Sequence, residues 1–189
     1  MQPLHKGMLL AFLAATVGAC ASSQVTDTWK SPEVKTMAMR KVLTVAYVPT
    51  ESVRRNLEDR LVRELGKEGV AGVASYRVVE DVDSLDRDSI RVLVGQKQFD
   101  AVLIANYLGT TSEVEYIPTT TYYGYFGAWG TPPMLDETTE VHLEFRLFDG
   151  RGEGRLVWSA TTSTFEPTSD SVPEVAEKVV EQLEDDREG

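Results

Sequence analysis

The sequence predicts a single-domain α/β protein: one mixed sheet with helices mainly on one face (an α/β sandwich) and a helix at the C-terminal end. Three observations point there. The runs 41–48 and 101–108 are apolar at successive positions, as strands buried on both faces are. The stretch 51–67 repeats Val53, Leu57, Leu61 and Leu65 every four residues with charges between them, the spacing of an amphipathic helix. Residues 140–148 and 155–165 flank Asp149-Gly150-Arg151-Gly152-Glu153-Gly154, a glycine-rich connection suited to a hairpin.

In chain order, 25–29 reads as an edge strand and 41–48 as a central one. The helix over 51–67 ends at Gly69, the expected C-cap. Residues 70–79 form the next strand candidate. An acidic stretch, 80–88, leads to a short helix over 89–98 that faces Ile90, Leu93 and Val94 inward, with Asp88 or Ser89 expected as its cap. After the strand at 101–108, Val141, Leu143, Phe145 and Leu147 alternate with His142, Glu144 and Arg146, so one face of that sheet region is expected to be solvated. The last helix starts near Ser171 with Pro173 in its first turn and buries Val172, Val175, Ala176, Val179 and Leu183. From Asp185 onward a charged tail is expected to fray. The order strand, helix, strand, helix, strand, hairpin, helix gives the fold class.

The amino terminus carries an address. Residues 1–20 read MQPLHKGMLLAFLAATVGAC: a head with Lys6, an apolar run from Met8 to Val17, then small residues, the layout of an export signal. The run of about ten residues is half of the roughly 20 a spanning helix needs. Val17-Gly18-Ala19-Cys20 resembles the lipobox of bacterial lipoproteins. That resemblance implies cleavage before Cys20, a lipid such as palmitate on that residue, and attachment to the membrane. Ala21 after the cysteine, by likeness to enterobacterial sorting, implies an outer-membrane anchor facing the periplasm. The expected organisation is a signal peptide at 1–19, the lipidated cysteine and a linker or edge segment at 20–39, and an envelope domain at 40–186 with an aromatic loop at 112–136.

Composition excludes several functions. The 189-residue chain carries a formal charge of -11, and removing Lys6 with the leader leaves 18 basic against 30 acidic residues, a balance of -12. Such a surface repels phosphate backbones, so no nucleic-acid partner is expected. Cys20 is the only cysteine and His142 the only histidine outside the leader. That is a poor ligand set for zinc, so no metal and no cofactor are expected. The acidic stretch lacks the ligand and glycine spacing of a calcium loop, since Leu85 and Asp86 stand at those places. His142 has no nucleophile elbow to serve, and no phosphate-binding loop occurs. No catalytic set is expected.

The remaining signal is the segment 116–129, with Tyr116, Tyr122, Tyr123, Tyr125, Phe126 and Trp129 among glycines at 124 and 127. Rings between glycines provide contact area at low side-chain entropy cost, as partner-binding surfaces do. A loop folded back on its own sheet fits the same residues equally well, and insertion into a membrane is the third reading.

The chain also resembles the envelope lipoproteins grouped as domain of unknown function 4136. The residues that carry this are Cys20, Trp29-Lys30-Ser31-Pro32, the Lys41-Val42-Leu43-Thr44-Val45 strand, Gly69-Val70, and Val157-Trp158-Ser159-Ala160-Thr161. The resemblance implies an envelope location and an α/β sandwich, and it supplies no catalytic residues. A more distant likeness is to the α/β domains of the curli-secretion lipoprotein, the peptidoglycan-synthase activator lipoproteins and the Tol translocation protein. The anchor, the lack of a catalytic set and the aromatic segment point to a non-catalytic binding or assembly protein, with a protein of the envelope as its expected partner. A carboxylate-dependent envelope hydrolase and an oligomeric secretion or scaffold component are the alternatives.

Overall fold

The computed structural model describes residues 23–34, 37, 39–82, 84–117, 121–124, 127–130, 134–151, 153–165 and 171–188, with backbone alone for 113–137 within these and for 188. A six-stranded sheet runs in the order β1-β8-β7-β4-β2-β3, and β5 and β6 pair separately. The strands are β1 (Ser23–Lys30), β2 (Lys41–Tyr47), β3 (Ala71–Ala74), β4 (Ala101–Ile117), β5 (Thr121–Gly124), β6 (Gly127–Gly130), β7 (Met134–Asp149) and β8 (Leu156–Phe165). The helices are α1 (Glu51–Lys67), α2 (Arg87–Lys97) and α3 (Ser171–Glu188). The mixed sheet and C-terminal helix agree with the fold class read from the sequence.

Topology explains the placement of the helices. β2 pairs in parallel with β3 on one side and β4 on the other. The connection through α1 steps one way along the sheet, and the connection through α2 steps back across β2. Right-handed crossovers in opposite directions lay their helices on opposite faces. α1 therefore shares its face with α3, and α2 lies alone on the other. β4, β7, β8 and β1 are antiparallel neighbours.

The α1/α3 face holds the larger core. Leu57, Leu61 and Leu65 of α1 meet Val175, Ala176, Val179 and Leu183 of α3 over Leu103, Phe145 and Trp158 of the sheet, all buried. Val53, expected on the same stripe, is 42% exposed: it sits in the first turn of α1 and borders an open hollow that it shares with Val172 and Val175 of α3. The other face has a smaller cluster, Leu43, Val45, Val82, Val94, Phe99 and Val102, with Ile90 and Leu93 of α2 packed against it.

Several boundaries differ from expectation for identifiable reasons. The strand expected over 70–79 stops at Ala74. Ser75 turns into a 3-10 segment because its N–H and its hydroxyl both donate to the Glu58 carboxylate, at 2.9 and 2.7 Å. α1 closes with Glu68 as the cap and Gly69 just past it at φ +75°. The Val70 N–H reaches back to the Leu65 carbonyl at 2.9 Å, so glycine serves one position later than a cap proper. α2 starts two residues early: Asp86, not Asp88 or Ser89, is the cap, its Oδ1 accepting from the Ser89 N–H at 2.8 Å.

The C-terminal tail does not fray at Asp185. α3 runs to Glu188 because Trp158 Nε1 donates to Asp186 Oδ2 at 2.7 Å and Lys30 Nζ donates to the Asp186 carbonyl. β1 is an edge strand as expected, and a bulge between Val25 and Asp27 interrupts its pairing with β8.

Candidate functional site

The largest departure from expectation is at 112–136. The sequence suggests a loop, yet β4 continues into it as far as Ile117 and β7 starts within it at Met134, the two paired as a ribbon. Their register runs unbroken from Thr110↔Val141 to Ile117↔Met134. Alternation is brief and one-sided there: Glu113, Val114, Glu115 and Tyr116 alternate on β4, while Leu135, Asp136, Glu137 and Thr138 do not on β7. A ribbon of two strands has no buried face to impose a hydrophobic pattern.

The ribbon's backbone places Tyr116 opposite Leu135. Tyr122 and Tyr123 lie on β5 and Trp129 on β6, with Tyr122 directly opposite Trp129 across the small hairpin. Tyr125 and Phe126 lie outside the described residues, as does Cys20. Among the described residues no helix is long and apolar enough to cross a membrane.

One row of the sheet organises this end of the molecule. Ser23 pairs with Thr164, Thr164 with Val141, and Val141 with Thr110. The next row, Phe165, Glu140 and Thr111, is the last that includes β8; beyond it only β4 and β7 go on. The chain thus enters the fold at Ser23, three inter-strand spacings of about 4.8 Å from the base of the ribbon. Ser23 is buried and its N–H donates to Glu174 Oε1 of α3 at 3.3 Å.

Two apolar hollows flank the sheet. The first, of about 450 Å³, is walled by Ile90 and Val94 of α2, Val102 and Ile104 of β4 and Phe148 of β7. It forms where α2 leaves the sheet face beside β7 uncovered. The loop 149–154 closes one side, held by the Gly150 N–H donating to the Asp100 carbonyl at 2.7 Å. A Cβ at Gly150 would meet the Phe99 carbonyl oxygen at 2.4 Å, so the loop cannot sit there with a larger residue. At the rim, Arg87 and Arg91 donate to the Glu153 carbonyl at 3.4 and 3.3 Å. No sequence motif marks this hollow. Its only trace is Phe148, an apolar residue on the face that carries Glu144 and Arg146.

The second hollow, of about 610 Å³, lies at the ribbon end on the α1/α3 face, between Val53, Val172 and Val175 of the helices and Tyr107, Val141 and Leu143 of the sheet.

Among the described residues no group of three His, Cys, Asp or Glu could hold a metal ion. Asp86 and Asp149 both line the first hollow, and each spends an oxygen on a backbone N–H, of Ser89 and Arg151. Hydrogen bonding to Ser89 holds the Asp86 carboxyl below its usual range, the opposite of what a general acid needs. Glu58 is the exception in direction. Burial pushes its carboxyl up, against hydrogen bonds from Ser75, Ala46 and Tyr76 that pull it down. It lies fully inside, where it ties α1 to the ends of β2 and β3. His142 lies half-buried on the polar face, with Nε2 at 3.2 Å from Thr111 Oγ1 and 4.0 Å from Glu140 Oε2.

No family model matches the chain, and no curated protein matches it either. The expected kinship with domain of unknown function 4136 therefore rests on the residues that suggested it. Solved structures of similar course include the PelC dodecamer from Paraburkholderia phytofirmans, 16% identical over 85% of this chain and 94% of that one, with a TM-score of 0.47. Lipoprotein GNA1162 from Neisseria meningitidis is 20% identical over 77% and 99% of the two chains, with a TM-score of 0.45. A minor lipoprotein from Acinetobacter baumannii is 14% identical over 78% and 94%, with a TM-score of 0.36. At these values no function passes from them to this chain.

Proposed function

We propose that this chain is a membrane-tethered envelope lipoprotein whose α/β domain is a non-catalytic binding module. Cys20 bears the lipid, Ala21 directs the protein to the outer membrane, and the domain faces the periplasm. The aromatic ribbon is its contact with another component of the envelope. The observation that carries this reading is the shared row: Ser23, three residues after Cys20, lies level with the base of the ribbon. A tether and a contact surface at one end make a module that works where it is anchored. The carboxylates around the α2-side hollow favour binding over hydrolysis, because two of the three residues there accept from backbone N–H groups.

The test is the mass of the mature amino-terminal peptide from the full chain expressed in a two-membrane bacterium. Acylated Cys20 is expected, and Cys20→Ala should release the protein from the membrane fraction. An unmodified Cys20, or a Cys20→Ala variant that stays with the membrane, overturns the tether. Release of a reducing sugar from envelope glycans by the purified protein would overturn the non-catalytic assignment.

A further inference from the structure

The hollow at the ribbon end of the α1/α3 face has an uncharged wall. None of the described residues that line it is Asp, Glu, Lys, Arg or His, in a chain with 19 Lys and Arg and 30 Asp and Glu. Val53, Leu57, Val141, Leu143, Val172 and Val175 give it branched aliphatic sides. Its volume of about 610 Å³ falls within the roughly 300–1,000 Å³ of small-molecule sites. With neither guanidinium nor carboxylate in that lining to hold a charged headgroup, the occupant that fits is an alkyl chain. Thr50, Ser52 and Asn56, near the start of α1, are among its polar residues, and their hydroxyl and amide groups can donate to an ester or amide carbonyl. Unfilled, the hollow leaves apolar surface in water: Val53 is 42% exposed and Tyr107 37%.

The point where the tether joins the fold lies beside it. Thr164 is part of the wall, and its Oγ1 donates to Ser23 Oγ at 3.2 Å. Val141, also in the wall, stands in the same row two strands from Ser23, about 10 Å away at the usual strand spacing. The Ser23 N–H is held by Glu174 of α3, whose neighbour Val175 lines the hollow. From Ser23 back to Cys20 is three residues, at most about 11 Å of chain. The step from Ser23 to the hollow is no longer than that, so a group carried on Cys20 can reach it.

From this juxtaposition we infer that one acyl chain of the lipid on Cys20 folds back into the hollow between α1 and α3. The inference rests on the proposed tether. Stable tethering takes more than one chain, so the rest stay in the bilayer. A chain in the bilayer is already out of water. What filling the hollow adds is the removal of its own walls, Val53 and Tyr107 among them, from water. Covalent attachment so close to the hollow gives the Cys20 chain a higher local concentration there than a free lipid has.

Photocrosslinking tests this. The full chain is expressed in a two-membrane bacterium fed a fatty acid with a diazirine at its far end, irradiated in the membrane and digested. Mass spectrometry of the monomer is expected to find the Cys20 peptide joined through an acyl chain to a peptide that holds Leu143 or Val172. Val53→Asp puts a carboxylate in the wall at an exposed position and should abolish that link, with the urea midpoint of the parent retained. A Cys20 chain joined only to phospholipid, a link formed only to another protein or between two copies, or a link that survives Val53→Asp overturns the inference. So do hollow peptides that carry free phospholipid in place of the Cys20 chain. The mass of the amino-terminal peptide is read on the same sample. Acylation without the link sinks the inference and leaves the tether standing, and absence of acylation sinks both.

Discussion

The two faces of the sheet do different work. On the α1/α3 face a cluster of 21 buried residues surrounds Phe145, Trp158 and Leu61, while on the α2 face the buried cluster has six. The difference follows from coverage. Two helices lie side by side on the first face and one short helix on the second, so the sheet beside β7 is left with an apolar hollow under α2. Stability is concentrated on one face, while each face keeps an apolar hollow, about 450 Å³ under α2 and about 610 Å³ at the ribbon end of the α1/α3 face.

The largest expected effect is on the first face. Phe145→Ala removes a fully buried ring and should cost about 3–5 kcal/mol, read as the urea midpoint at constant slope. Glu58→Gln should cost about 2 kcal/mol, since an amide nitrogen would face a backbone donor of Ala46 or Ser75. Its pH dependence sharpens the point. The folded-state carboxyl is raised above 4.5, so Glu58 makes the protein more stable below that pH, and the contribution is lost as pH rises through the folded value. Glu58→Gln should remove that downward slope.

On the α2 face, Val94→Ala takes away two methyl groups beside the hollow and should cost about 1.5 kcal/mol. A loss as large as that of Phe145→Ala would break the contrast between the faces. The smallest effect belongs to the exposed cap of α2, Asp86. Its carboxyl is lowered, so its contribution is present above the ordinary carboxylate range and lost as pH falls, opposite in sign to Glu58. A melting-temperature profile of Asp86→Ala should meet that of the parent at low pH and lie below it at neutral pH.

Much of the fold was legible. The periodicity of α1, the alternation in β7 and the glycines after Asp149 each fix a local geometry, and together they fix the class. What stayed hidden depends on partners distant in sequence. The end of β3 is set by Glu58, 17 residues before Ser75, and the end of α3 by Trp158, 28 residues before Asp186. The ribbon was hidden for another reason: a two-stranded extension needs no apolar face, so the short alternation from Glu113 to Tyr116 on β4 has no counterpart at 135–138 on β7. The aromatic segment was recognised by composition alone. Its position relative to Ser23 came only from strand register, which the sequence does not print.

The bulge in β1 has a consequence for crowding. β1 is an outer strand of the sheet, and a straight eight-residue edge would offer its backbone to the same edge of a neighbouring molecule. The irregularity divides its ladder into two short runs, Ser23 to Val25 and Asp27 to Lys30, and twists them out of line. The opposite edge, β3, is only four residues long. On a membrane surface, where the proposed tether would confine the molecules, a sheet with two blunted edges can be packed densely without zipping into fibres.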